Sequence, residues 1–150
     1  MKTLPVNPSA VPVLYVEDHP VNAMLMAALF EYRPGLRLVV ATSVADALEQ
    51  APRLEPALLL LDIHLPDGNG CDLLPRLRRI PSCAVAPAVA VTAEDDFDHE
   101  ACGFTELWTK PLDLSKVLRR LDALTGPDLG PFRMALHAIK STPGAWAVSA

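Results

Sequence analysis

Short β-branched apolar runs alternate with longer stretches of helical spacing along most of the chain. Val11–Val16 is strand-sized and stops at Glu17 and Asp18, whereas Val21, Leu25, Ala28, Leu29 and Tyr32 recur at the interval of one helix face. Pro20 suits the first turn of that helix, where its missing N–H costs nothing, and Pro34-Gly35 stops it. Leu36–Ala41 reads as a second strand. Ser43 reads as the N-cap of a helix with Val44, Ala47 and Leu48, ended by Pro52. Ala57–Leu61 is apolar at every position, as a strand covered on both faces requires. A polar loop (Pro66 to Gly70) leads to a helix with Leu73, Leu74, Leu77 and Ile80, in which Pro75 falls near the start, where a first turn tolerates it. Ala86–Val91 and Phe104–Thr109 are strands four and five, and Leu112–Leu124 is a closing amphipathic helix. Five strands separated by crossovers predict an α/β fold: a doubly wound, five-stranded parallel sheet with helices on both faces.

Composition narrows the class. With 51% hydrophobic and 21% charged residues in 150, the chain can bury one core and is not disordered. The expected organisation is an extended lead-in (1–10), one domain (11–125) and a tail (126–150) with one helix-sized piece, Pro131–Lys140. A net charge of -5, and arginine runs without interleaved aromatics, argue against nucleic acid as a partner. No apolar run reaches the length of a membrane span, and the start lacks the continuous apolar segment of a signal peptide, so a cytoplasmic location without membrane insertion is expected. Cys71, Cys83 and Cys102 have no metal-ligand spacing and read as small, buried, reduced thiols.

The chemistry gathers at strand ends. Ligands of open α/β sheets sit beyond the carboxyl ends of the strands. Glu17 and Asp18 follow strand one, Asp62 strand three, Thr92 strand four and Lys110 strand five. Three carboxylates that close together need a cation, and hard oxygen ligands favour Mg²⁺. A hydroxyl and an ammonium alongside would neutralise the oxygens of a phosphoryl group, so the set is a phosphoryl-acceptor site with an Asp nucleophile.

Four stretches resemble the receiver domains of bacterial two-component response regulators, of the single-domain chemotaxis type or the hybrid-kinase type. They are Val13–Pro20 (VLYVEDHP), Leu59–Gly68 (LLLDIHLPDG), Val91–Ala93 (VTA) and Gly103–Pro111 (GFTELWTKP). The resemblance implies a flavodoxin-like strand order 2-1-3-4-5. It implies Asp62 as the phosphorylated residue and Mg²⁺ held by Glu17, Asp18, Asp62 and the backbone carbonyl of His64. Thr92 and Lys110 would contact the phosphoryl group, and the Lys110-Pro111 bond would be cis. His64 and Glu94, two positions past Asp62 and Thr92, would tune phosphoryl lifetime. The donor would be a histidine kinase or a histidine phosphotransfer protein, and the chain as it stands would act in trans on a downstream protein. Self-dephosphorylation would be its only turnover.

Two departures affect the output. The aromatic that the family carries three residues before the lysine is replaced by Leu107, and Trp108 follows it, on the opposite face by strand alternation. The interval from Thr92 to Lys110 is short and holds Glu94, Asp95, Asp96, Asp98 and Glu100, so the fourth helix is expected to be short or irregular. The first helix is apolar almost all round and is expected to expose Met26 and Phe30, a docking patch for the phosphoryl donor or a homodimer contact. The competing readings are a constitutive protein–protein adaptor, favoured by Leu107, and an Asp-based phosphatase, disfavoured by His64 where a second acid belongs. In the tail, Leu136–Ser141 resembles a phosphohistidine helix around His137, with too few residues for the bundle that such a helix needs.

Overall fold

The computed structural model describes residues 9–126; the lead-in before Ser9, the helix expected over Pro131–Lys140 and His137 lie outside the described residues. Five parallel strands run β1 (Val11–Val16), β2 (Leu36–Ala41), β3 (Leu58–Asp62), β4 (Ala88–Thr92) and β5 (Glu106–Thr109), in the order β2-β1-β3-β4-β5. Among the described residues four α-helices cover the faces: α1 (Pro20–Phe30), α2 (Val44–Gln50), α3 (Gly70–Arg78) and α4 (Leu114–Thr125). The doubly wound sheet with its 2-1-3-4-5 order is as expected.

Strand alternation splits the core into two layers. Leu14, Val16, Leu59, Leu61, Ala88 and Ala90 pack beneath α2 and α3, while Val13, Tyr15, Leu58, Leu60, Val89 and Val91 pack beneath α1 and α4. Every residue of β3 and β4 is buried, which is why their sequences do not alternate. β4 begins at Ala88 because Pro87 has no N–H; its carbonyl instead accepts from Leu59 N at 2.9 Å.

Local signals set most helix ends. Ser43 accepts from Asp46 N, Asn69 from Asp72 N and Asp113 from Lys116 N, each a side-chain N-cap. Pro20 occupies the first turn of α1, as expected.

Four expectations need correction. First, α1 buries Met26 and Phe30 and exposes Val21, Met24 and Leu25, at 54%, 70% and 58%. A helix apolar around its whole circumference carries no phase, and the core stripe is the one through Met26, Leu29 and Phe30. Second, Pro75 lies in the interior of α3, because Asn69 caps the helix and starts it at Gly70. Third, the β4–β5 crossover (93–105) contains no helix. It is a series of turns in which Asp98 caps Ala101 N, and Gly103 takes a φ of +90°, which favours glycine. Fourth, Cys71 and Cys102 are not free thiols. They form a disulfide with Cα atoms 5.3 Å apart, inside the range that a cross-link requires, while Cys83 is free and buried.

Candidate functional site

The register of the parallel ladder builds the site. Val16 lies opposite Leu61, Asp62 opposite Val91, and Thr92 opposite Thr109. The residues that follow or end those strands, Glu17, Asp62, Thr92 and Lys110, therefore reach one edge together. Two further bonds lock it: Glu17 N donates to Ala41 O at 2.9 Å, and Lys110 N donates to Thr92 O at 2.9 Å. The Lys110-Pro111 peptide is cis, as expected.

At that edge the Lys110 ammonium bridges two carboxylates, 2.8 Å from Glu17 Oε1 and 3.1 Å from Asp62 Oδ2. Glu17, Asp62 and Thr92 are the buried polar residues among those described, and Asp18 is exposed beside them. Ligand oxygens of Glu17, Asp18 and Asp62 lie within 4.8 Å of one another. Burial, then the hydrogen bond and charge of Glu17, push the Asp62 carboxyl from 3.8 up to about 6, against the pull of Lys110. Burial also opposes charge on Glu17, but hydrogen bonds from Asp62 and Lys110, and the ammonium charge, hold its carboxyl below the ordinary range. Burial opposes the Lys110 ammonium too, and its bonds and attraction to the same two carboxylates outweigh this and raise it. Protons entering the cluster thus go to Asp62 before Glu17.

The donor set is all carboxylate oxygen, two groups buried and one open to water. That fits a hard cation that keeps part of its hydration, and does not suit a soft metal, which seeks sulfur or imidazole.

Around the cluster, His64 N donates to Asp62 Oδ1 at 3.2 Å and Thr92 Oγ1 accepts from Glu94 N at 3.2 Å. The His64 imidazole and the Glu94 carboxylate pair directly across the mouth of the site, both exposed. His64–Leu65 and Gly68–Asn69 form a tight antiparallel ladder that returns the chain to α3. At Gly70 a Cβ would come within 2.7 Å of Asp62 O, so only glycine lets the chain pass beneath the acidic strand end.

Leu107 and Trp108 point into opposite layers, as strand alternation predicts. Leu107 packs with the α2–α3 layer, and Trp108 is buried with Val117 and Leu121 of α4. The indole Nε1 donates to Glu106 Oε1 at 3.1 Å, and Glu106 is clasped by Arg120.

Two further participants lie inside the motif stretches without an expected role in the site. Tyr15 donates its hydroxyl to Glu17 Oε1 at 2.9 Å inside the core. Asp67 accepts from Val44 N at 2.7 Å and Ala45 N at 3.0 Å, tying the loop after Asp62 to the start of α2. The alternation of β1, which puts Tyr15 and Glu17 on one face, signals the first. A loop Asp is a common N-cap, but its partner helix lies earlier in the chain, which conceals the second.

Residues 13–122 match the family model described as the response regulator receiver domain. The chain belongs to that family. The receiver domain is 32% identical over 120 residues to the transcriptional regulatory protein TrcR of Mycobacterium tuberculosis, a match over 77% of this chain and 46% of that protein. It is 29% identical over 136 residues to the transcriptional regulatory protein DpiA of Escherichia coli K12, covering 89% of this chain and 57% of DpiA. The chain thus spans about half the length of these curated relatives. Among solved structures, a CheY-like response regulator receiver domain from Methylobacillus flagellatus superposes with a TM-score of 0.69 at 29% identity, over 77% of this chain and 99% of that one. The receiver domain of the sensor histidine kinase PA1611 from Pseudomonas aeruginosa PAO1, solved with magnesium in its active-site cleft, shares the fold with a TM-score of 0.71 at 24% identity. That match covers 79% of this chain and 99% of that one. No helix among the described residues is long and apolar enough to cross a membrane.

Proposed function

We propose that this receiver domain accepts a phosphoryl group on Asp62 from a histidine kinase or a histidine phosphotransfer protein. The observation that carries the reading is the cluster of Asp62, Glu17, Asp18, Thr92 and Lys110 at one sheet edge, with Lys110 Nζ 3.1 Å from Asp62 Oδ2. Glu17, Asp18 and Asp62, with the His64 carbonyl, would hold Mg²⁺, which when bound neutralises phosphoryl oxygens and the acidic cluster. An Asp62 oxygen forms the new O–P bond as the donor's N–P bond breaks, and the electron pair stays on the donor imidazole. Lys110 turns its ammonium from Asp62 to a phosphoryl oxygen, and the Thr92 hydroxyl donates to another. Tyr15 and Lys110 keep Glu17 ionised and oriented. His64 and Glu94 stand where water would approach, so they are the residues that set phosphoryl lifetime.

Exposure supports one docking site for the donor. Leu25 of α1 and Leu114 of α4 remain open beside Tyr15, Lys110 and Pro111, around a cavity of about 140 Å³. An apolar rim next to the acceptor suits the helical face of a phosphohistidine protein.

Incubation with acetyl phosphate and Mg²⁺ should add one phosphoryl mass to the intact chain, and Asp62→Asn should take none. A wild type that stays unmodified under those conditions, and unchanged by beryllofluoride, would leave the adaptor reading. The fixed Trp108 and the crossover without a helix favour that second reading, because both depart from the usual signalling face.

A further inference from the structure

The β4–β5 crossover has no helix to lay against the sheet, and its hold on the domain is unusual. Phe97 and Phe104 meet edge-on at 6.4 Å and pack towards the α2–α3 layer, and Cys102 is bonded to Cys71 of α3. Cys71 and Cys102 are both half-buried, so a small thiol reaches them, whereas Cys83 is fully buried and offers no competing partner. Between Thr92 and Cys102 the crossover carries Glu94, Asp95, Asp96, Asp98 and Glu100. Like charges so close favour an expanded segment once nothing ties it down.

We propose that Cys71 and Cys102 form a reversible thiol–disulfide site, exchanged by a dithiol able to close an unstrained cyclic disulfide, whose redox state sets how tightly the crossover is held to α3. The thiolate of the dithiol attacks Cys102 Sγ and forms a mixed disulfide. The Cys71–Cys102 bond breaks, its electron pair goes to Cys71 sulfur, and that thiolate takes up a proton. Cys71 is the better leaving group, because it lies in the first turn of a nine-residue helix whose N–H groups and dipole stabilise an anion. The second thiol of the reagent then attacks its own mixed-disulfide sulfur and releases Cys102 as a thiol. Two electrons and two protons pass to the protein, and the reagent leaves as its cyclic disulfide; an oxidised dithiol runs the reverse. None of this requires Asp62 to be phosphorylated.

The test uses the intact purified chain equilibrated across ratios of reduced to oxidised dithiothreitol, then alkylated and mass-mapped. Cys71 and Cys102 should gain label together over one range of ratios, with Cys83 protected in the folded protein. Amide hydrogen exchange over residues 94–105 should be roughly tenfold faster in the reduced form, with β3 unchanged as a control for folding. The double variant Cys71→Ser/Cys102→Ser should match the reduced form at every ratio. The proposal is overturned if both cysteines stay alkylatable in fully oxidised reagent, or if they become reducible only after denaturation. It is equally overturned if exchange over 94–105 is the same in both redox states.

Discussion

Replacing Asp62 by Asn should stabilise the metal-free receiver, although it removes an ion-pair partner of Lys110. In the folded protein the Asp62 carboxyl is pushed from 3.8 up to about 6, by burial first and by Glu17 second. This is the reverse of the usual carboxylate case. A group whose folded value lies above its unfolded value favours unfolding once ionised, so the penalty is absent below about pH 4, grows between the two values, and is complete above about pH 6. Two pH units correspond to roughly a hundredfold in the folded-to-unfolded ratio, or about 3 kcal/mol. Asn stands in for the protonated acid in shape and lacks its ability to ionise, so it escapes that penalty. The assay is urea unfolding of wild type and Asp62→Asn in EDTA, at pH 4 and pH 7.5. At pH 7.5 the variant should be more stable by up to about 3 kcal/mol, and at pH 4 the gap should shrink below about 1 kcal/mol. Adding Mg²⁺ at pH 7.5 should narrow the gap from the other side, because a cation bound a hundredfold above its dissociation constant contributes about 2.7 kcal/mol to wild type and less to a site missing one carboxylate. A variant no more stable than wild type at pH 7.5 without metal would refute the electrostatic account of the cluster.

Three other substitutions probe neighbouring parts of the design. Tyr15→Phe removes the buried O–H that Glu17 Oε1 accepts, and should cost about 1.5–3 kcal/mol in urea unfolding, the range for bonds to charged acceptors; no loss would mean that Lys110 and the His19 N–H suffice to orient Glu17. Gly70→Ala sets a Cβ within 2.7 Å of Asp62 O, so thermal unfolding should report a loss of roughly 1–3 kcal/mol and phosphorylation from acetyl phosphate should slow together with it. The hydrogen bond from Arg120, opposed by partial burial, holds Glu106 below the usual carboxylate range, so their pair contributes stability above the unfolded value that is lost as pH falls through the folded one. Arg120→Ala should therefore flatten the acid limb of the stability profile while leaving the Asp62-dependent limb near pH 4–6 intact, as measured by chemical unfolding at closely spaced pH values.

The sheet and the acidic edge are legible because both follow from short-range rules. β1 and β2 begin and end where their sequences say and α2 begins there, since β-branched runs, Ser43 and Pro34-Gly35 act locally; α2 stops at Gln50, and Pro52 lies in the 3-10 turn that follows. Parallel pairing then forces Glu17, Asp62, Thr92 and Lys110 to one edge, whatever their separation in sequence. What stays hidden depends on phase or on distant pairing. Met24 and Met26 are equally apolar, and only docking of α1 decides which is buried. Cys71 and Cys102 stand 31 residues apart with no spacing signature, and become partners only through the fold, which brings their Cα atoms to 5.3 Å. The start of α3 is likewise decided by Asn69, a polar residue in a loop full of cap and turn formers, and this moves Pro75 inward.

The exchange of Leu107 and Trp108 restricts how this receiver can respond to a phosphoryl group. Trp108 is held at its ring by Val117 and Leu121 and at Nε1 by Glu106, itself bound to Arg120 of α4. Turning the indole would leave a buried N–H unpaired, at a cost of about 1–3 kcal/mol, and would open a void in the α4 layer. Leu107, on the face that the α2–α3 layer covers, has no polar atom with which to follow the Thr92 hydroxyl. The group bonded to that hydroxyl is Glu94 N, the start of the crossover, and the Glu94 side chain already reaches His64 above Asp62. If Thr92 turns to a phosphoryl oxygen it keeps or releases that N–H. Either way the displacement is expected to pass into residues 93–105, where separate turn hydrogen bonds stand in place of a helix, and not into an aromatic on β5. The signalling movement of this domain is therefore expected in the acidic crossover, on the stretch that the Cys71–Cys102 bond fastens to α3.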